Sequence, residues 1–320
     1  MDGIITKIKN KFKDQDLFEF LSKEISLSEL NSLMLNIFST KAADLKPADV
    51  LKGHLSNRFT RASEVSPQNF LAFDRLCYSL LPEGFHAVEL SPLAPLGTCA
   101  SMAPVHQNNI VSTLRNSEVV ADATNVMALE CAARRKKILL KKPKSTEEIK
   151  LACSQRVVRA QKLEREEHLA NFRVFSLCSA GRDEGHLSFE IRNLSEQIRF
   201  YLILIEELSK KAPIKNCKIK LFQLGDLDHR SIIDDIRNLV SHFRNTELLI
   251  EKPEEASTNY YEHLRFMIDL ENEQGLSMNY VDGGFTSWTQ ELLGSRKERL
   301  LISGIGSELI LKILKPSLPL

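Results

Sequence analysis

The apolar residues of this chain change their spacing at Leu81-Pro82-Glu83-Gly84, and that break constrains the fold more than any other feature of the sequence. Over residues 16–81 they recur at three- and four-residue steps, as in Leu17, Phe18, Phe20, Leu21 and again Leu27, Leu30, Leu33, Met34, Ile37, Phe38, which is the helical period. Ser26 with Glu29 three residues on has capping-box spacing, Lys46-Pro47 and Ser66-Pro67 mark turns, and residues 69–81 form a further amphipathic helix. Beyond the break, Phe85-His86-Ala87-Val88-Glu89-Leu90 alternates apolar and polar residues before Ser91-Pro92, the pattern of a strand stopped by proline.

The rest of the chain mixes the two periods. Residues 111–120 suit a strand or a short helix, and residues 125–137 are helical behind the cap signal Asp122-Ala123-Thr124. Residues 145–152 read as linker or helix, while residues 155–161 and 172–179 are extended and pair as a hairpin across a charged turn at 164–168. A long helix over 187–211, a strand over 217–224, a helix over 231–243 and strands over 264–270 and 276–281 follow. The chain finishes with a short helix near 288–293, a strand at 300–303 and a helix over 307–314. This order predicts an α+β fold, a mixed and mainly antiparallel sheet flanked by helices. It also divides the chain into a helical N-terminal extension, residues 1–66, and a core, residues 67–320.

Composition narrows function mainly by exclusion. Lys and Arg number 43 against 42 Asp and Glu, so no global charge favours nucleic acid or a membrane surface. No apolar run approaches the roughly 20 residues of a spanning helix, and the N-terminus lacks the pattern of an export signal, so a cytoplasmic protein is expected. Six scattered cysteines without a C-x-x-C pair or zinc-spaced histidines read as buried, reduced thiols, and no metal site is assigned. The run from Arg134 to Lys144, seven basic residues in eleven, lacks interleaved aromatics and reads as a solvated helix end.

The ordered motifs resemble the catalytic core of class II aminoacyl-tRNA synthetases, in the histidyl-tRNA synthetase-like branch that includes the regulatory subunit of ATP phosphoribosyltransferase. Leu80 to Pro92 resembles the first class II motif, helix, strand and proline at a dimer interface, which implies a homodimer. Val119-Val120-Ala121-Asp122-Ala123-Thr124 is similar to the segment that contacts the amino acid in histidyl-tRNA synthetases, with Asp122 as its acidic residue. Asp122 and Thr124 equally suit a simple helix cap. Val157-Val158-Arg159-Ala160-Gln161 resembles the second motif, in which the arginine grips the α-phosphate of ATP, Gln161 standing where the family has glutamate. Arg159 equally suits a surface strand.

Asn259-Tyr260-Tyr261-Glu262-His263 resembles a substrate-pocket segment of the branch, and Asp282-Gly283-Gly284 the start of its Gly-Gly segment. A tyrosine there either offers a phenol to a ligand or packs in the sheet, and paired glycines either admit a ligand or make a turn. Ile302-Ser303-Gly304-Ile305-Gly306-Ser307-Glu308-Leu309 resembles the third motif, but Leu309 replaces the arginine that stacks on adenine, and Ala256-Ser257-Thr258 lacks the family's catalytic arginine. The resemblance implies ATP and magnesium as the cofactors of such a core, while the residues themselves assign none.

The reading is therefore a synthetase paralogue that does not charge whole tRNA, acting as a regulatory or partner-binding subunit for a protein partner or a small amino-acid-like or nucleotide ligand. Its candidate ligand-binding residues are Asp122, Thr124, Arg159, Gln161, Tyr260, Tyr261, Gly283, Gly284 and Glu308. The absence of room for an anticodon-binding segment after Leu320 adds to this expectation. The alternative is a ligase that forms an acyl-adenylate from an amino acid or another small carboxylic acid, and a purely structural dimer is the third possibility. No catalytic residue is assigned.

Overall fold

The computed structural model describes residues 6, 17–103, 105–161, 170–212, 214–225, 228–251, 260–272, 275 and 277–315. The expected turn at 164–168 and the segment Ala256-Ser257-Thr258 lie outside the described residues. Short helical segments at Leu17–Glu19 and Phe20–Glu24 precede α1 (Leu27–Ala43), α2 (Pro47–Ser56) and α3 (Pro67–Ser79). The capping box that opens α1 is formed: the Ser26 N–H donates to Glu29 Oε2 at 2.7 Å and the Glu29 N–H to Ser26 Oγ at 3.2 Å. Both α2 and α3 start on a proline, where the missing N–H costs nothing.

Among the described residues ten strands follow, interleaved with helices: β1 (Phe85–Ala87), β2 (Leu93–Pro95), α4 (Thr98–Met102), β3 (Ser117–Val119), α5 (Ala123–Lys141), β4 (Ile149–Val158) and β5 (Asn171–Arg182). Then come α6 (Ser188–Ser209), β6 (Ile214–Gln223), α7 (Arg230–Val240), β7 (Thr246–Glu251), β8 (Glu262–Asn272), β9 (Ser277–Thr286), α8 (Trp288–Leu293), β10 (Glu298–Ile305) and α9 (Ser307–Ile313). Eight strands form one sheet in the order β1-β4-β5-β10-β9-β8-β6-β7, while β2 and β3 pair separately. The two outer pairings, β1 with β4 and β6 with β7, are parallel and all inner ones are antiparallel. This is the expected α+β class. Residues 145–152, read as linker or helix, instead contribute the start of β4, because Ile149 pairs with Ala180 across the hairpin.

Strand alternation divides the core between the two faces of the sheet. Ala152, Phe175, Leu177, Leu301 and Ile305 pack with α3, α6, α7 and α9 on one side. Leu151, Cys153, Cys178, Ala180, Leu300 and Ile302 pack with α5 on the other. A buried polar chain crosses the first face: Tyr201 OH and Ser303 Oγ lie 2.8 Å apart, Ser303 Oγ donates to Gln197 Oε1 at 2.6 Å, and Gln197 Nε2 donates to Ser179 Oγ at 3.0 Å.

The basic run at the end of α5 is not wholly solvated. Arg135 is fully buried and forks onto the equally buried Glu298, Nε to Oε2 at 2.9 Å and Nη2 to Oε1 at 3.0 Å, with further donations to the Glu147 and Ser145 carbonyls. All six cysteines are buried and unpaired. Burial pushes every one of these thiols up, Cys99 to about 11 and Cys131 and Cys217 to about 12.

Candidate functional site

The N-terminus of α5, the outer end of the β4–β5 hairpin and the ends of β8, β9 and β10 enclose a cavity of about 940 Å³ on the α5 face of the sheet. Of the nine residues singled out from the sequence, Asp122, Thr124, Arg159, Gln161, Tyr260, Tyr261 and Glu308 line it.

Asp122 caps its helix with one carboxylate oxygen and turns the other to the cavity. Its Oδ1 caps α5, accepting from the Thr124 N–H at 2.9 Å and from Thr124 Oγ1 at 2.8 Å. Its Oδ2 faces Arg159 Nη2 at 3.4 Å and accepts from Tyr260 OH at 3.3 Å. Both distances exceed the roughly 2.7–2.9 Å of a tight charge-assisted bond, so this carboxylate has a loosely held side turned to the cavity. Arg159 is steadied by donation from Nε to the Ala121 carbonyl at 2.9 Å and by the Phe172 ring, whose centroid lies 5.1 Å from the guanidinium carbon.

Tyr260 stands edge-on to both Tyr261 and Trp288, at centroid distances of 4.8 and 5.4 Å. Burial, followed by nearby carboxylate charge from Asp122 for Tyr260 and from Asp282 for Tyr261, pushes both phenols well up, so both stay protonated and Tyr260 donates to Asp122.

Gly283 and Gly284 are not among the cavity-lining residues. They lie inside β9 instead of in a turn, and each leaves room for a neighbour. A Cβ on Gly283 would stand 2.6 Å from the Phe266 ring and from Ser303 Cβ, and one on Gly284 would stand 2.7 Å from the Leu264 carbonyl and the Tyr261 ring. The close approach that glycine permits is therefore strand to side chain, with Gly284 giving the Tyr261 ring its seat.

Glu308 borders the cavity but is heavily engaged. Oε1 accepts from the Ser63 hydroxyl, while Oε2 accepts from the Arg173 N–H at 3.0 Å and pairs with Arg156 Nη1 at 3.0 Å. Ser63 belongs to a stretch that straps the rim: Arg58 donates to the Gln161 and Ala160 carbonyls at 2.9 and 2.6 Å, Asn171 Nδ2 donates to the Phe59 and Arg61 carbonyls, and Lys312 pairs with Glu64 at 2.9 Å.

The sequence list omitted a second ion pair on the opposite wall. Arg265 on β8 forks onto Asp282 on β9, Nε to Oδ1 and Nη2 to Oδ2, both at 2.9 Å. The signal was present, since an arginine and an aspartate fall in adjacent segments that pair as a hairpin, but their alignment depends on a register broken by bulges in β8. His263, beside the tyrosines, is not among the cavity-lining residues.

Solved structures with a similar architecture include those of aminoacyl-tRNA synthetases. The apo histidyl-tRNA synthetase of S. aureus superposes with a TM-score of 0.58 at 12% identity, covering 81% of this chain and 70% of that one. The chain has a class II synthetase-like fold. A histidyl-tRNA synthetase from Nostoc sp. PCC 7120 gives a TM-score of 0.56 at 13% identity over 80% of this chain and 74% of its own. An ATP phosphoribosyltransferase regulatory subunit/histidyl-tRNA synthetase from Bacillus halodurans C gives 0.55 at 13% identity, over 78% and 81%. No family model and no curated protein sequence matches the chain. Among the described residues, no helix is long and apolar enough to cross a membrane and no cluster of three or more His, Cys, Asp or Glu side chains could hold a metal ion.

Proposed function

We propose that this class II synthetase-like chain is a non-charging paralogue that binds a small zwitterionic, amino-acid-like ligand and acts as a regulatory or partner-binding subunit. The observation that carries the reading is the charge pattern of the cavity. Its ionic groups pair off as Asp122 with Arg159, Asp282 with Arg265 and Glu308 with Arg156, and the remaining lysine, Lys312, pairs with Glu64.

A zwitterion exchanges into the loose pair with no net change of charge. Its ammonium meets Asp122 Oδ2 and its carboxylate meets the Arg159 guanidinium, while the Tyr260 hydroxyl redirects its proton toward the bound group. The walls around that pair, Phe172, Val174, Ile302 and Tyr261, suit a side chain of modest size.

The same inventory argues against a triphosphate with magnesium. A triphosphate adds several negative charges to walls whose cations are already matched, and Glu308 is engaged by Arg156, Arg173 and Ser63 in place of a metal ion. Leu309 lines the cavity where the resembling motif carries arginine, removing a charge and a stacking plane together. These features favour the regulatory reading over the acyl-adenylate ligase. One structural neighbour is itself named a regulatory subunit, which agrees with the reading.

Calorimetry with each proteinogenic amino acid, and separately with ATP plus magnesium, tests the proposal. The expected result is saturable binding of at least one amino acid, weakened about 10–100-fold by Asp122→Asn, as for loss of a charge-assisted bond of about 1.5–3 kcal/mol. Tight ATP binding together with amino-acid-dependent pyrophosphate exchange would establish the ligase instead. Binding of neither would leave the purely structural reading.

A further inference from the structure

Buried polar atoms without a hydrogen-bond partner are few in a native protein, and each has a reason to be there. Among the described residues whose side chains carry such an atom, only Asn125 borders the cavity. Asn125 is 1% exposed, and its Oδ1 has no partner.

The amide is held in place. Asn125 is the third residue of α5, and its Nδ2 donates to Cys99 Sγ at 3.2 Å. Cys99 is fixed in turn, because the fully buried Glu118 accepts from the Cys99 and Gly97 N–H groups at 3.1 and 2.8 Å and from Gln107 Nε2 at 3.0 Å. The amide nitrogen is therefore engaged and the oxygen is left as an acceptor. Val105, Ile110 and Ala121 cluster with Cys99, and all four border the cavity together with Asn125. The result is an apolar corner with one acceptor in it.

The chemistry of the corner selects its occupant. A buried amide oxygen is satisfied by an N–H or O–H donor and repels a carboxylate. The local field acts in the same sense: burial raises the Cys99 thiol, the bond from Asn125 lowers it, and the charges of Glu118 and Asp122 raise it further. Both effects count against an acidic side chain. A cationic one would lack a counter-ion, since none of the five corner residues is charged and Glu118 is already matched by three donors. The position suits one ligand bridging two groups. Asn125 follows Asp122 by three residues, a spacing that sets side chains on one helix face roughly 5–6 Å apart at Cβ, and a single amino acid spans that interval from its ammonium to the end of its side chain.

We propose that Asn125 Oδ1 is a specificity-determining acceptor, so that the amino acid this cavity takes carries an uncharged N–H or O–H donor, such as an amide or a hydroxyl, on its side chain. The proposal rests on the zwitterion reading, with the ammonium on Asp122, and narrows it.

Calorimetric titration of the full chain with near-isosteric pairs tests it: threonine with valine, glutamine with glutamate, asparagine with aspartate, and tyrosine with phenylalanine. In the tightest-binding pair the donor-bearing member is expected to bind at least ~10-fold more tightly, because its partner leaves the acceptor unmatched. Asn125→Leu removes the acceptor at similar volume and is expected to bring that ratio below about 3-fold. If circular dichroism shows that the leucine variant misfolds, Asn125→Ala gives the same comparison with a smaller side chain. A merely structural asparagine would weaken both members equally and leave the ratio where it was. Amino-acid binding without a donor preference, a preference for the carboxylate or hydrocarbon member, or a ratio unchanged in the folded variant would each overturn the proposal and leave the zwitterion reading standing. Failure of every amino acid to bind would overturn both.

Discussion

Adding one methyl group at Gly284 probes the link between the sheet and the cavity more directly than any change in the cavity itself. An alanine Cβ there stands 2.7 Å from both the Leu264 carbonyl and the Tyr261 ring, under any distance that carbon contacts sustain. The carbonyl belongs to β8 and cannot withdraw without opening the β8–β9 ladder. The ring is thus the part that gives, and it moves toward the cavity it lines. Overpacking of this kind costs about 1–3 kcal/mol, and at the roughly 2 °C per kcal/mol expected of a large domain the melting temperature falls by about 2–6 °C.

Two other glycines calibrate the measurement. Gly304→Ala meets only the Ser176 hydroxyl at 3.2 Å and the Phe175 carbonyl at 3.6 Å, so its cost stays below about 1 kcal/mol. Gly53→Ala, in a helix with nothing within 4 Å, is expected to stabilise by about 0.5–1 kcal/mol through backbone entropy. Urea unfolding of the three variants with calorimetric confirmation gives the ranking. If Gly284→Ala is within 0.5 kcal/mol of wild type or ranks above Gly304→Ala, the inference that Gly284 exists to seat Tyr261 is wrong; a 0.5 kcal/mol margin is about the resolution of surface substitutions.

Other perturbations have equally definite outcomes. Glu298→Ala leaves the buried Arg135 charge uncompensated and should cost about 3–5 kcal/mol by chemical denaturation, whereas Arg135→Met with Glu298→Leu recovers most of that loss. For Glu148, burial pushes the carboxyl up, but Arg192, Asn193 and Lys150 outweigh it and hold the group below its usual range. The stabilisation it contributes is therefore present above the unfolded value of about 4.3 and disappears as pH falls through the lower folded value. Glu148→Gln should flatten the acid limb of a stability–pH curve. Ser63→Ala removes a donor from the buried Glu308 carboxylate, costing about 1–3 kcal/mol locally, and limited proteolysis should cut the strap at 58–64 faster than in wild type.

Local signals carried the helix starts and the order of elements into the structure with little loss. Ser26 with Glu29, Pro47, Pro67 and Asp122 each act within a few residues, and each stands at the start of its helix. Asp122 and Arg159 were legible as candidates because each sits in a recognisable segment, but their meeting required β4 to run beside α5, which no local pattern specifies. What escaped depended on register or on distant partners. Thr246-Glu247-Leu248-Leu249-Ile250-Glu251 forms the edge strand β7 only because β6 lies alongside it. Arg135 looked solvated among six other basic residues because its partner Glu298 is 163 positions away. Asp282 stood beside two glycines that suggested a turn, whereas the strands on either side hold all three in a ladder.

The six buried cysteines have a practical consequence. With thiols raised to about 11 or beyond, less than roughly one in a thousand is ionised at pH 8, so alkylating reagents find almost no nucleophile on the folded chain. The natural sequence is thus a ready background for site-specific labelling, since any cysteine introduced at the surface would be the sole fast-reacting thiol. Cys99 alone among the six borders the cavity. Its slow residual reactivity offers an intrinsic gauge of whether that space is filled, read from the unmodified chain without knowing the ligand beforehand.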